Sequence, residues 1–479
     1  MSEASEEIQL FEERIPIYPR SVKGRFRTLK WTILALAYGV YFLLPWVPWS
    51  RTVGPDQAVS FDLATRRFYL FDLVVHAQDI FWLAGILAIA ALLLFMVTGI
   101  AGRVFCGYFC FQTLWTDVYI AIERLVQGER PARIRLAKSP WNGRKLARIG
   151  ATHLLWLAVA FWTGFTFTLY WARAPELFVD FFTGVAPFAA YGTTLFLTAT
   201  TYVMAGLARE QVCQYMCPYA RFQGAMFDRD TLIVAYDEQR GEGSAGRHKV
   251  AKGFQRRDER RAEGVGDCID CGYCVQVCPA GIDIRNGLQY QCISCALCID
   301  ACNHIMDTLG WERGLIRYTS EKEQEGEKTR IIKPKTIGYG VMLAAIISLL
   351  SFSIVTRAPL DMAVYQVRNP LYVLLSDGSI QNSYEVKLNN KTEHSLDLTI
   401  SVYGLPGAAV DLGRLHAIHL APEQSLRVMA RVRLHPTARE DKPKTFHFKV
   451  SAEDGSIAPL TQPVLFYMPK HEESTEDSE

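Results

Sequence analysis

The chain has 479 residues, of which 50% are hydrophobic and 21% are charged. That mixture excludes a plain soluble enzyme and also a carrier buried wholly in lipid, and it indicates a membrane anchor with soluble parts on either side. The net charge of +2 gives no reason to expect a nucleic-acid partner. All twelve cysteines lie between Cys106 and Cys302, which is unlike a disulfide scaffold and favours metal ligation in a reducing compartment.

Several segments are apolar enough to cross about 30 Å of hydrocarbon, which takes roughly 20 helical residues. They are Trp31–Pro48, Ile80–Ala101, Ile149–Ala172, Val185–Ala208 and Thr336–Thr356. Six Lys or Arg residues precede the first segment and nine lie between the second and third, whereas Arg173 alone separates the third from the fourth. The five segments predict a five-helix transmembrane bundle in the bacterial inner membrane. The positive-inside rule predicts its orientation, with the N-terminus in the cytoplasm and the C-terminal region in the periplasm.

Two C-x3-C pairs follow the second and fourth apolar segments. They are Cys106-Gly-Tyr-Phe-Cys110 and Cys213-Gln-Tyr-Met-Cys217, followed by Pro218. An i, i+4 spacing would put both thiols of a pair on one face of a helix. Thiolates select Cu(I) and similar soft ions, so these four cysteines are the candidate copper site and the candidate catalytic residues. The alternative is that they are small, buried apolar residues.

Two runs of cysteines then follow a ferredoxin pattern. Cys268, Cys271, Cys274 and Cys278, with Pro279, form C-x2-C-x2-C-x3-C-P, and Cys292, Cys295, Cys298 and Cys302 repeat it with asparagine in place of proline. In two-cluster ferredoxins the fourth cysteine of each run binds the other cluster. We therefore assign one [4Fe–4S] cluster to Cys268, Cys271, Cys274 and Cys302, and a second to Cys278, Cys292, Cys295 and Cys298. Structural zinc, which takes paired cysteines a dozen or more residues apart, fits two such runs badly.

The segments around these runs are predicted from charge and alternation. We expect the basic run Arg247–Arg261 to be a solvated linker that faces anionic lipid. After Arg357, period-2 alternation predicts an all-β sandwich, which we interpret as an adhesion or docking module. Its clearest strands are Tyr384–Leu388, Leu396–Val402, Leu426–Leu434 and Thr445–Val450. The last residues form a charged tail that we expect to be disordered.

The chain is thus predicted to divide into six segments. They are a cytoplasmic N-terminal segment (1–30), four transmembrane helices with the C-x3-C pairs (31–217), a cytoplasmic ferredoxin-like domain (218–335), a fifth transmembrane helix (336–356), a periplasmic β domain (357–470) and an acidic tail (471–479).

The full chain resembles the CcoG/FixG/RdxA family of cytochrome c oxidase accessory proteins. The resemblance rests on RVFCGYFCFQTLWTD (Arg103–Asp117), EQVCQYMCPYARFQGAMFD (Glu210–Asp228), the double cluster motif and the C-terminal β region. It implies that the β domain is immunoglobulin-like, and that the protein reduces Cu(II) to Cu(I) during assembly of a cbb(3)-type oxidase. The family's paired cysteines correspond to the two C-x3-C pairs, although Phe111 stands where a proline is expected.

The resemblance also implies partners: a copper chaperone, a copper-exporting P-type ATPase and oxidase assembly components. The electron donor is not indicated, and a homodimer is left open. Two other functions are also left open. One is a quinol-dehydrogenase-type module that feeds a periplasmic reductase, although the chain has no C-x-x-C-H haem motif. The other is a non-catalytic assembly scaffold in which the clusters are structural.

Overall fold

The computed structural model describes residues 16–413, 417–435 and 443–469. These residues fall into two compact units, one within Met1–Trp49 and Asp56–Leu350 and the other within Ser50–Pro55 and Ser351–Glu479. The acidic tail predicted at 471–479 lies outside the described residues, as does the first half of the predicted segment 1–30.

The helices, in chain order, vary from one turn to more than seven. The first are α1 (Arg25–Leu43), α2 (Ile80–Ala101), α3 (Val104–Tyr108), α4 (Phe111–Gln127), α5 (Arg130–Lys138), α6 (Gly143–Leu169), α7 (Ala174–Thr183), α8 (Phe188–Thr201) and α9 (Pro218–Met226). The others are α10 (Glu238–Glu242), α11 (Arg257–Ala262), α12 (Tyr273–Val277), α13 (Leu297–Leu309), α14 (Glu321–Gln324) and α15 (Pro334–Val355). Between α8 and α9 the chain forms π-helical turns at Tyr202–Ala208 and Val212–Met216.

The long apolar helices are α1, α2, α6 and α15. Counting only the described part of the chain, these four can cross a membrane by length and composition. The pair formed by α7 and by α8 with its π-helical continuation meets the same condition, bent by 89°, so the number of spans is four, or five if the pair counts as one. Protein buries almost none of α2 and none of α15, so their apolar surfaces are suited to lipid. These helices indicate a membrane protein.

The predicted fourth span, Val185–Ala208, differs from the structure at its start and in its geometry. The helix begins only at Phe188, and its last turns are π-helical. Gly184 ends α7 in the left-handed conformation, with φ of 85°, a role that glycine fills without steric cost. Pro187 is the N-cap of α8. Because proline has no N–H to bond to a preceding turn, it favours the start of a helix over its interior.

Small sheets flank the helical segments. β1 (Val59–Asp62), β2 (Arg67–Leu70) and β3 (Leu73–His76) form an antiparallel sheet between α1 and α2, where the sequence indicates only a loop. β4 (Ile233–Tyr236) pairs antiparallel with β5 (Ile316–Thr319). This second pairing joins the two ends of the cysteine-rich segment.

The basic run before the cysteines is folded near its C-terminal end, so the expectation of a solvated linker is wrong for Arg260. Arg260 is fully buried, and its Nε donates to the carbonyl of Gly266 at 3.0 Å while Nη2 donates to that of Cys268 at 3.2 Å. Its guanidinium lies 5.3 Å from the ring centroid of Trp311. A buried guanidinium needs such acceptors to replace water, and here they come from the first cysteine loop.

The second unit contains an antiparallel sandwich that confirms the predicted all-β region. Its strands are β6 (Leu360–Gln366), β7 (Val373–Leu374), β8 (Ile380–Asn390), β9 (Leu396–Tyr403), β10 (Ala409–Asp411), β11 (Ile418–Leu420), β12 (Ser425–Leu434), β13 (Lys444–Ala452) and β14 (Leu460–Phe466). One sheet has the order β10-β12-β8-β6, with β7 also paired to β8, and the other has the order β11-β9-β13-β14. Alternate residues of each long strand are buried between the sheets, among them Tyr384, Val386, Phe446 and Phe448.

Candidate functional site

The two C-x3-C pairs lie at breaks between helices. Cys106 is in α3 and Cys213 is in the π-helical turn Val212–Met216. Their partners Cys110 and Cys217 have extended backbones, with ψ of 125° and 109°, and each is the N-cap of the next helix. The expectation that one helix face carries both thiols of a pair is therefore wrong.

The corresponding turns are alike although their sequences differ. After Cys110 the helix α4 begins at Phe111, and after Cys217 the helix α9 begins at Pro218. Proline favours the first position of a helix but is not required there. Phe111 in place of the expected proline therefore leaves the turn intact.

The four thiols of these pairs, here called the thiol site, lie close together. Burial, followed by the nearby thiols of Cys110 and Cys106, raises the pKa of Cys213 to about 12, although Arg103 acts in the opposite direction. Burial also raises the pKa of Cys106, with Arg103 opposing it and with Cys110 and Cys217 adding to it. Because buried thiols resist ionisation, a bound soft cation must displace their protons. Among the described residues, no three cysteine, histidine or carboxylate side chains converge closely enough to hold a single ion.

Polar side chains from the quoted motifs support the thiol site. The thiol of Cys106 donates to Oε1 of Gln223 at 3.2 Å, and Nε of Arg103 donates to the same oxygen at 3.1 Å. Gln223 is fully buried, so the amide has a fixed position beside the sulfur. The amide of Gln112 donates to the carbonyls of Met204 and Arg209, at 2.8 and 3.2 Å, and so ties α4 to the π-helical segment.

Buried ion pairs lie behind the same helix, and the sequence analysis missed them. Asp117 on α4 lies 3.2 Å from Nη1 of Arg27 and 3.0 Å from Nζ of Lys30. Glu123, also on α4, pairs with Arg133 and Arg209. Each carboxylate thus has two cationic partners from other segments. The signal that could have found them is the helical spacing of Asp117 and Glu123 with the apolar residues Leu114 and Ile120 of α4.

The cysteines of the ferredoxin pattern form two sets in space. Burial, and then the thiols of Cys274, Cys268 and Cys271, raises the pKa of Cys302 to about 12. These four cysteines, here called the first group, combine the first three of one run with the last of the other.

The second group consists of Cys278, Cys292, Cys295 and Cys298. Burial, and then Cys295, raises the pKa of Cys278 to about 12. Burial together with Cys295, Cys292 and Cys278, and then Cys274 of the first group, raises the pKa of Cys298 well above its ordinary value. The crossing of the two runs is thus the one that the ferredoxin pattern predicts, and the ligand assignment itself stays a prediction.

The donor set and its surroundings fit an iron–sulfur cluster. All four cysteines of the second group line one cavity, whose other walls include Cys274 of the first group, Ile284 and Leu297. The backbone N–H groups of Ile282 and Ala280 point to the sulfur of Cys278 and lower its pKa, against the larger effect of burial. An apolar cavity lined by thiols, with N–H groups directed at sulfur, is the kind of environment that sets the reduction potential of such clusters. A cubane also spaces its ligands more widely than one ion does, which suits the spread of these thiols.

The two ligand loops repeat one backbone geometry. In the first loop Asp270 and Gly272 have φ of 49° and 65°, and in the second Ser294 and Ala296 have φ of 51° and 59°. Successive residues that alternate between right- and left-handed conformations turn their N–H groups to one side and form an anion-binding nest. The loops are therefore shaped to surround a negatively charged group, and α12 and α13 begin directly after them.

Comparisons with known proteins agree with this organisation. A family model described as "4Fe-4S dicluster domain" matches residues 208–321, and one described as "IG-like fold at C-terminal of FixG" matches residues 350–469. A solved structure described as a FixG-related protein from Vibrio parahaemolyticus is similar over 23% of this chain and 95% of that chain, with 21% identity and a TM-score of 0.21.

Curated relatives match most of the chain. It is 45% identical over 413 residues to protein RdxB of Cereibacter sphaeroides, which covers 84% of this chain and 85% of that one. It is 40% identical over 434 residues to nitrogen fixation protein FixG of Rhizobium meliloti, with coverages of 84% and 82%. Protein RdxA of Cereibacter sphaeroides is 42% identical over 408 residues, with coverages of 83% and 84%.

Proposed function

Because this chain belongs to the FixG/RdxA family, we propose that it is an iron–sulfur electron-transfer protein that reduces Cu(II) to Cu(I) during assembly of a cbb(3)-type cytochrome oxidase. The dicluster domain makes it an iron–sulfur redox protein, and its apolar helices indicate a membrane protein.

The gathering of four thiols beside the cluster domain is the observation that carries the copper proposal. The C-x3-C pairs come from chain segments about a hundred residues apart, yet Cys213 interacts with Cys110, Cys106 and Cys217. If these cysteines were only small buried apolar residues, nothing would require the two pairs to lie near each other. Thiolate ligands select Cu(I), so such a site draws Cu(II) toward reduction.

The two cysteine groups, the thiol site and Gln223 have separate roles in this proposal. The first and second groups hold two [4Fe–4S] clusters, which supply one-electron redox chemistry when bound. Because no three of the described side chains converge on one ion, the thiol site binds Cu(II) through at most two of its thiols in this geometry. These thiols release their protons to water and retain the ion as Cu(I) after it has gained one electron. Gln223 accepts from Cys106 and holds that sulfur in place. Copper then passes to a chaperone or a copper-exporting P-type ATPase.

The membrane topology belongs to the same proposal. The N-terminal segment, the thiol site and the domain at 218–335 lie in the cytoplasm, and the immunoglobulin-like domain at 357–470 lies in the periplasm. The excess of Lys and Arg before the first span and between the second and third supports this orientation. A cytoplasmic site meets reduced electron carriers and keeps its thiols from forming disulfides.

The test uses full-length protein purified anaerobically in detergent. We expect about eight iron atoms per chain. Cu(II) should oxidise the reduced clusters, as followed by EPR, and one Cu(I) should form for each cluster oxidised, as measured with a Cu(I)-specific chelator. A variant with Cys213→Ser and Cys217→Ser should keep its iron but lose the fast oxidation. Tyr215→Phe, at an exposed position on the same turn, is the matched control. Fully loaded protein that Cu(II) does not oxidise, or a serine variant as fast as the control, would overturn the copper proposal.

A further inference from the structure

The helix α3 touches the ligand loop of the second group with backbone against backbone. A Cβ atom added at Gly107 would lie 2.7 Å from the carbonyl oxygen of Ile293, 3.0 Å from Cα of Cys295 and 3.1 Å from its nitrogen. Real side chains do not come that close to backbone atoms, so only glycine allows this contact. One residue before Gly107 in the chain is Cys106 of the thiol site.

Neighbouring side chains close the same contact against water. The hydroxyl of Tyr108 donates to the carbonyl of Cys295 at 3.1 Å, and Tyr108 is 3% exposed. Cys106, Ile293 and Cys295 belong to a single buried apolar cluster. A thiol of the thiol site and a ligand of the second group are thus separated by packed protein and no solvent layer.

The second C-x3-C pair also faces this group. A small cavity is lined by Cys213 on one side and, on the other, by Pro279 and Ala280, which follow Cys278, and by Gln291 and Ile293, which flank Cys292. Both pairs therefore approach the loops of the second group. This cavity and the contact at Gly107 are separate observations that point to the same neighbour.

The first group differs from the second in its exposure to solvent. Its Cys271 is exposed to solvent, whereas every thiol of the second group is buried or half-buried. A soluble protein that carries one electron can therefore make its most direct approach at Cys271 of the first group.

We propose that Gly107 and Tyr108 form the electron-transfer contact between the second group and the thiol site, so that electrons enter at the first group and leave at the second. This inference rests on the proposed function. A soluble one-electron carrier gives one electron at the Cys271 side, and Cu(II) at the thiol site gains one electron across the Gly107 contact and becomes Cu(I). No proton or heavy-atom bond changes in that transfer.

The test compares Gly107→Ala with Gly224→Ala in the full-length protein. Gly224 lies on α9 at the same end of the helical unit, and a Cβ there meets nothing within 4 Å. We expect Gly107→Ala to keep its iron and to be oxidised by Cu(II) several-fold more slowly, because the rate of electron transfer falls as the distance between donor and acceptor grows. Gly224→Ala should behave like wild type.

Redox titration followed by EPR gives a readout that does not depend on copper. Gly107→Ala should shift one of the two midpoint potentials and leave the other unchanged, because the displaced atoms belong to the second loop alone. If Gly107→Ala fails to accumulate, Tyr108→Phe removes the hydrogen bond to the carbonyl of Cys295 together with the hydroxyl's contact with Tyr318, and it should shift the same potential. Equal oxidation rates and unchanged potentials in the two glycine variants would overturn the contact while leaving copper reduction in place. Wild-type protein that Cu(II) cannot oxidise would instead overturn the proposed function.

Discussion

The ammonium group of Lys30 lies 3.0 Å from Oδ2 of Asp117, and the side chain of Lys30 has no exposed surface. Arg27 approaches the same carboxylate at 3.2 Å. Burial alone would raise the pKa of Asp117, but Lys30 and Arg27 more than offset it, and the net pKa is below the ordinary value. One carboxylate on α4 thus pairs with two cations of α1, and the motif that supplies the first C-x3-C pair ends on that residue.

Replacement of Asp117 should destabilise the helical unit. Asp117→Asn leaves Lys30 and Arg27 buried without a counter-charge, and breaking a buried pair in this way costs about 3–5 kcal/mol. The measurement is the melting of the detergent-solubilised protein. Glu176→Gln is the matched control, since Glu176 pairs with Arg173 at the surface, where their side chains are 65% and 53% exposed, and it should cost less than about 1 kcal/mol. Similar melting of the two variants would show that the buried pair is not structural.

The same carboxylate should make stability depend on pH in one direction. Because the folded pKa of Asp117 is lowered, its contribution is complete above the unfolded value of about 3.9 and is lost as pH falls through the folded value. The stability difference between wild type and Asp117→Asn should therefore be constant near neutral pH and shrink in strong acid. Melting curves of both proteins across that range measure the difference. A gap that widens on acidification would mean that Asp117 is protonated in the folded protein.

Several features followed from local pattern alone. The apolar segment Ile80–Ala101 has the bounds of α2, because a long uncharged run leaves the helix few places to end. Period-2 alternation located β8, β9, β12 and β13, because one face of each strand is buried in the sandwich. The grouping of the ferredoxin cysteines also agrees with their spacing, because the ligand loops are short and each fixes three thiols.

Other features depend on partners distant in sequence. The basic run looked solvated, yet Arg260 is buried because acceptors on Gly266 and Cys268 and the ring of Trp311 replace water around it. The C-x3-C pairs looked helical, yet Cys110 and Cys217 are extended because a new helix starts after each. Spacing cannot reveal a break that tertiary packing imposes. The contact at Gly107 could not be predicted either, because the local sequence around a glycine does not indicate which distant backbone it contacts.

The left-handed residues of the two ligand loops should respond differently to substitution. Gly272 has φ of 65°, and a Cβ there would meet only Nε2 of Gln276 at 3.9 Å. Gly272→Ala therefore fits sterically and should cost about 1–2 kcal/mol from backbone strain alone. Its counterpart Ala296, with φ of 59°, shows that alanine can occupy this position in a ligand loop. Iron release under chelator challenge measures the effect.

The reverse change has opposing consequences. Ala296→Gly relieves the strain of a left-handed alanine, but it adds unfolded-state entropy and removes a buried methyl group, each of about 1 kcal/mol or less. We expect iron release close to that of wild type. Gly338→Ala on α15, where a Cβ meets nothing within 4 Å, is the control for a glycine of ordinary conformation. Complete loss of iron in Gly272→Ala would show that the first loop needs glycine for a reason other than φ.

A tyrosine hydroxyl joins the two sheets of the immunoglobulin-like domain. Tyr384 on β8 is fully buried, and its hydroxyl donates to the carbonyl of Leu465 on β14 at 2.7 Å. Tyr384→Phe leaves that carbonyl without its partner in the core, which costs about 1–3 kcal/mol. Hydrogen–deuterium exchange should then become faster in β8 and β14, with little change in the packing of the ring.

The matched control is Tyr365→Phe on β6, in the same sheet as β8, because Tyr365 is 60% exposed and water can replace any bond that its hydroxyl makes. We expect no measurable change in exchange there. If Tyr384→Phe also left exchange in β14 unchanged, the contribution of Tyr384 would come from its ring, which packs edge-on against Phe446 and Phe448 at 5.6 and 5.3 Å between centroids. Faster exchange in the Tyr384 variant alone would identify the buried hydroxyl as the link, because ring packing is the same before and after the change.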